Sequence, residues 1–137
     1  MEKVYTGKVA IPAQHMGAFL AALEEAQKAR EPFRRQLVAL NEEFHARLAE
    51  KFSERTARKH STIVDLFIDF ICRHTDAENI EEITRGMVNT HFRAWYKRKV
   101  WDSASPNDLR VALKKFFEFL AAEKGIENPK VLHALAR

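Results

Sequence analysis

Between Ser105 and Leu120 the chain reads SPNDLRVALKKFFEFL, and local chemistry leaves this stretch little to be but a helix. Its start is marked three ways. Ser105 offers a capping oxygen, Pro106 suits the first helical position because its missing N–H has no partner to lose there, and Asp108 stands three residues after the cap, near the positive helix end. At about 3.6 residues per turn, Leu109, Leu113, Phe116 and Leu120 share one stripe, which Ala112, Phe117 and Phe119 widen. The opposite side carries Asn107, Arg110 and Lys114, with Val111 among them. One face can be buried while the other offers an amide and two cations. A DNA-reading helix is laid out in this way, but so is any solvated surface helix, and periodicity does not choose between them.

Composition narrows the class. A chain of 137 residues suits one ordinary domain, able to bury roughly two thirds of its unfolded surface. Ten Phe supply ample core, while four Gly and four Pro leave little room for the frequent turns of an all-β protein. The net charge of +4 permits an anionic partner without demanding one. Cys72 is the single cysteine, which rules out an intrachain disulfide and suits a reducing compartment. No apolar run approaches the roughly 20 residues of a membrane span, and the N-terminus lacks a signal-peptide pattern. The expectation is a soluble, cytoplasmic, all-α domain with no membrane partner.

Along the chain, residues 1–11 (MEKVYTGKVAI) have a locally extended pattern, an arm or a strand that pairs between copies. A helix is expected from Pro12 to Glu31, with Met16, Phe19, Leu20 and Leu23 on one side, and Pro32 breaks or sharply bends it. Phe33 to Phe52 reads as a second helix, striped by Phe33, Leu37, Leu40, Phe44 and Leu48. Residues 1–52 are thus an arm plus a helical pair, packed on or extending a bundle formed by residues 53–137. Ser53 opens the next helix, about Glu54 to Arg73, with Ile63, Phe67 and Phe70 facing inwards together with His60, and Arg55, Arg58, Lys59 and Thr62 directed elsewhere. After the loop HTDAEN, Thr84 can cap a helix that buries Met87, Val88, Phe92 and Trp95. That helix ends in RAWYKRKVW, where Lys97, Arg98 and Lys99 crowd around aromatic rings. They can grip phosphates, or they can merely favour the negative helix end. Gly125 is a natural left-handed closure, and Asn128-Pro129 starts a short last helix with Val131, Leu132 and Leu135 apolar.

Nothing in the residues supports catalysis. The six His never stand three or four apart, so no helical metal pair exists, and there is no Gly-rich phosphate loop. Cys72 reads as a quiet thiol, and the carboxylates are dispersed. No cofactor is expected.

The order of motifs says more than their periodicity. From Phe52 to Leu132 the chain resembles the N-terminal core-binding, SAM-like helical domain of the tyrosine recombinase, or phage integrase, family. SERTARKHSTIVDLFIDFI matches the family's S-x-x-T-x-x-x-Y helix, and NIEEITRGMVNTHF its I-T-x-x-x-I segment. SASPNDLRVALKKFFEFL follows for the L-x-x-F-F-x-F-L helix and GIENP, one residue shorter, for the G-x-x-x-N-P exit. Two positions depart: His60 stands where the family has Tyr, and Ser105 or Pro106 where Thr is common. The family's catalytic H-x-x-R pair has no counterpart, since no His here has an Arg three residues later, and Tyr5 and Tyr96 lie outside any such setting.

The resemblance implies an all-α, SAM-like bundle with an additional N-terminal helical pair, and a double-stranded DNA partner gripped without cleavage. Two helices enter the major groove in that family. The matching contacts here are Arg55, Thr56, Arg58, Lys59 and Thr62 from the first, and Ser105, Asn107, Arg110, Lys114 and Lys115 from the second, with Lys97, Arg98 and Lys99 as secondary backbone contacts. Most would meet phosphates, while Asn107 and Arg110 suit adenine and guanine edges. The alternative is a helical interaction module that forms a homo-oligomer through its N-terminal helices or the final helix. A helix-turn-helix regulator ranks below both, for want of a compact helix, turn and helix.

Overall fold

A single helix, α1 (Met16–Ala49), occupies the place of the two expected on either side of Pro32, which lies inside it. In the computed structural model, which describes residues 15–100 and 104–136, α1 is followed by α2 (Glu54–His74), a 3₁₀ turn Ile80–Glu82 and a π-helical turn Met87–His91. That turn runs straight into α3 (Phe92–Lys99), and α4 (Pro106–Lys124) and α5 (Pro129–Leu135) complete the chain. The described residues form no strand. The extended arm read in residues 1–11 and the ring of Trp101 fall outside the described residues.

The helical pair is therefore corrected to one helix of about 51 Å, at 1.5 Å per residue. Proline costs a helix interior about 3 kcal/mol, through the lost hydrogen bond and the clash with the preceding turn. Here α2 pins both sides of the proline. Before it, the Arg30 guanidinium donates to the carbonyls of Ile71 (3.2 Å), Thr75 and Ala77 at the end of α2. After it, Phe33 and Leu37 are buried and Arg34 lies 3.6 Å from Asp69. Tertiary contact holds the helix line where local propensity would break it.

From Phe33 onward α1 shares one core with every other helix. Aromatic rings run through that core in near-continuous contact: Phe119 to Phe44 (5.7 Å), Phe44 to Phe116 (5.3 Å), Phe116 to Phe117 (5.8 Å) and Phe117 to Phe67 (6.2 Å). The run continues from Phe67 to Phe92 (5.2 Å) and from Phe92 to Trp95 (6.1 Å). Asn41 fixes the register of α1 on α2. It is buried, donates from Nδ2 to the Ser61 carbonyl (3.0 Å) and Asp65 Oδ1 (2.7 Å), and accepts from Ser61 Oγ (3.3 Å). A slip of one turn would leave that amide buried and unpaired, at a cost of about 1–3 kcal/mol.

The helix ends follow the sequence signals. Ser53 Oγ accepts from the Thr56 N–H, Thr84 Oγ1 from Met87 N–H, and Ser105 with Asp108 forms a reciprocal capping box. Gly125 closes α4 at φ +67°, and Asn128 Oδ1 accepts from Val131 N–H. Asn128 also donates from Nδ2 to the carbonyls of Ile80 and Ile83, both at 2.9 Å, tying the α4–α5 corner to the 3₁₀ turn.

These two corner residues make a paired prediction. An added Cβ at Gly125 meets nothing within 4 Å, so Gly125→Ala carries only the left-handed penalty, about 1 kcal/mol. Asn128→Ala strands two buried carbonyls and removes a cap, and should cost about 3 kcal/mol. Urea denaturation of both variants checks the order; equal losses would contradict it.

Candidate nucleic-acid interface

The beginnings of α2 and α4 come together because both helices lay their apolar stripes on the same rings, Phe67 from one and Phe117 from the other. The contact is marked at the surface by Lys59 Nζ, 3.2 Å from Asp108 Oδ1. Asp108 thus has two tasks: its other oxygen, Oδ2, accepts from the Ser105 N–H at 2.9 Å. That bond first, and Lys59 after it, holds the Asp108 carboxyl below the ordinary carboxylate range.

On α2, Arg55, Arg58, Lys59 and Thr62 are exposed. Arg58 leans on Glu54 one turn back (3.2 Å), and the same Glu54 oxygen is 3.4 Å from His45 Nε2 of α1. Thr56 is half-buried, its hydroxyl accepting from Ser53 Oγ at 3.1 Å, so it is occupied with the cap. On α4, Ser105 and Asn107 are exposed, and Lys114 and Lys115 are half-buried. Lys115 Nζ sits 4.9 Å from the centre of the Phe52 ring, a cation–π contact across to the turn between α1 and α2. Lys97, Arg98 and Lys99 are exposed in the last turn of α3.

Arg110 differs from its expected solvent setting. It is half-buried, donating from one guanidinium nitrogen to the Leu135 carbonyl at the end of α5 and from the other to Asn107 Oδ1, both at 2.9 Å. The amide and the cation read as separate surface groups form one hydrogen-bonded unit that also fastens α5. No signal in the sequence announces this, because the acceptor is a main-chain carbonyl of another helix.

Beneath the Lys59–Asp108 pair lies His60, 8% exposed, with Nδ1 buried and unpartnered. Burial foremost, then the Lys115 and Lys59 charges, push its imidazole below the ordinary histidine value, with Asp108 opposing. Elsewhere, burial raises the Cys72 thiol, which fits an inert cysteine. No helix among the described residues is long and apolar enough to cross a membrane.

The sign of the His60 effect follows from linkage. Below the ordinary value of 6.5 the unfolded chain takes up a proton that the folded one resists. Its stability contribution is therefore whole above that pH and is lost as pH falls beneath it. His60→Gln should flatten the fall in folding free energy between about pH 6.5 and 5, as read by denaturant titration across that window. An unchanged pH slope would contradict this assignment.

In comparison with known proteins, the family model described as phage integrase, N-terminal SAM-like domain, fits residues 42–124. It begins inside α1 and ends with the last residue of α4. No curated protein and no solved structure matches the chain.

Proposed function

The chain belongs to the phage integrase family through its N-terminal SAM-like domain, and on that premise we propose that it is the DNA-gripping, non-catalytic module of a site-specific tyrosine recombinase. The beginnings of α2 and α4 enter one major groove together. The observation that carries this reading is the Lys59–Asp108 contact, which places two cation-bearing helix starts side by side. The family match covers the N-terminal domain, with no catalytic domain matched.

In this reading Arg55, Thr56, Arg58, Lys59 and Thr62, with Ser105, Lys114 and Lys115, face the phosphates, and Lys97, Arg98 and Lys99 add flanking backbone contacts. Existing partners do not stand in the way. The Lys59–Asp108 and Arg58–Glu54 pairs are solvent-accessible, and such pairs are worth about 0–1 kcal/mol, less than a phosphate contact can replace. Asn107 and Arg110 are the base readers. Arg110 spends two of its donors within the protein and retains others of the five a guanidinium carries, while Asn107 keeps its amide N–H groups.

Titration of a labelled duplex at rising salt tests this. About six neutralised phosphates give log affinity a slope near −5 against log salt; a flat response, or no binding in low salt, would sink the reading. Arg110→Ala should weaken binding by about 1–3 kcal/mol and relax preference at one base pair. Because Arg110 also fastens α5, its melting temperature is compared in parallel.

A second reading, a self-associating helical module, has one observation in its favour. Met16, Leu20 and Leu23, on one stripe of α1, are 41%, 51% and 42% exposed. This portion of the helix precedes the family match. Sedimentation separates the two readings: a tight oligomer indifferent to DNA favours the second, whereas a monomer that binds duplex favours the first.

A further inference from the structure

Between the π-helical turn and α5 lies an open groove of about 580 Å³, walled by Arg85, Asn89 and Thr90 on one side and by His133, Ala134 and Ala136 on the other. Among the described residues its walls carry no carboxylate. By contrast, the clefts beside α1 each include glutamates: Glu31 in one, Glu24 and Glu31 in the next, and Glu118 and Glu123 in the one shared with α4. Arg85, Thr90 and His133 are exposed. Asn89 is half-buried, with its Oδ1 buried and unpartnered, and its amide group can donate. Arg85 and Asn89 stand four residues apart, as do Gly86 and Thr90, so one helical face brings them onto the same wall. The two alanines leave the opposite wall open. The groove thus offers four groups able to donate: a guanidinium, an amide, a hydroxyl and an imidazole.

We propose that this groove takes a phosphodiester of the bound duplex, extending the DNA contact from the start of α4 past the end of α5. The inference rests on the DNA-binding reading above and adds a site to it. Continuity comes from Arg110: the carbonyl it holds belongs to Leu135, between the two alanines of the groove wall. That same bond places a cation on the negative end of α5, which would otherwise repel an anion there.

The test uses the full chain, a labelled duplex and three variants: Arg85→Ala, Asn89→Asp and, as a reference on the α2 side, Lys59→Ala. Arg85→Ala should weaken duplex binding about tenfold irrespective of sequence and reduce the salt slope by about 1. Asn89→Asp, nearly isosteric but placing a negative charge in the groove, should weaken binding at least as much. The melting temperature of Arg85→Ala stays at the wild-type value, since that side chain is exposed. If Arg85→Ala and Asn89→Asp both bind like wild type while Lys59→Ala is weakened, the groove is overturned and the α2–α4 interface stands. If the wild-type chain binds no duplex in low salt, both fall together.

Discussion

The rings from Phe119 to Trp95 fix the helices packed on them, and with them the faces those helices turn outwards. They draw on α4, α1, α4 again, α2 and α3 in turn. Each buried ring contributes about 1.5–3 kcal/mol through lost exposure, and each well-placed pair about 0.5–1.5 kcal/mol more. Against that, the exposed ion pairs at the helix starts are worth fractions of a kcal/mol. The scaffold is therefore strong and apolar, and the surface polar contacts are weak and exchangeable. The proposed exchange of internal partners for an external anion draws on that division.

The same division assigns different work to similar residues. Lys59 and Arg58 hold their carboxylates in exposed, replaceable pairs. Arg30 is committed: its guanidinium closes the end of α2 and keeps α1 continuous past Pro32. Arg110 stands between these cases, fastening α5 to α4 while orienting Asn107. Charge alone does not rank such residues; the burial and chemistry of their partners do.

Much of the fold is legible in the residues, because helix ends are local chemistry. Ser53, Thr84, Ser105, Gly125 and Asn128 each act where their side chains or backbone freedom say they should. The stripes on α2 and α4 are buried as their periodicity demands, and the order of motifs gives the family that the match to residues 42–124 bears out. What escapes is whatever depends on a distant partner. Pro32 reads as a break because the α2 carbonyls that steady Arg30 are far along the chain. The meeting of Lys59 with Asp108, and of Arg110 with Leu135, requires the packed core first. The π turn at Met87–His91 leaves no mark in the sequence, which reads there as an ordinary capped helix.

The central claim is that two helix starts form one DNA-facing surface, and amide chemical-shift mapping of the labelled protein against a short duplex tests it most directly. The account predicts that the largest shifts fall together on residues 54–62 and 105–115, growing in step as duplex is added. Shifts confined to the first half of α1, or present on one of those helix starts and absent from the other, would contradict it.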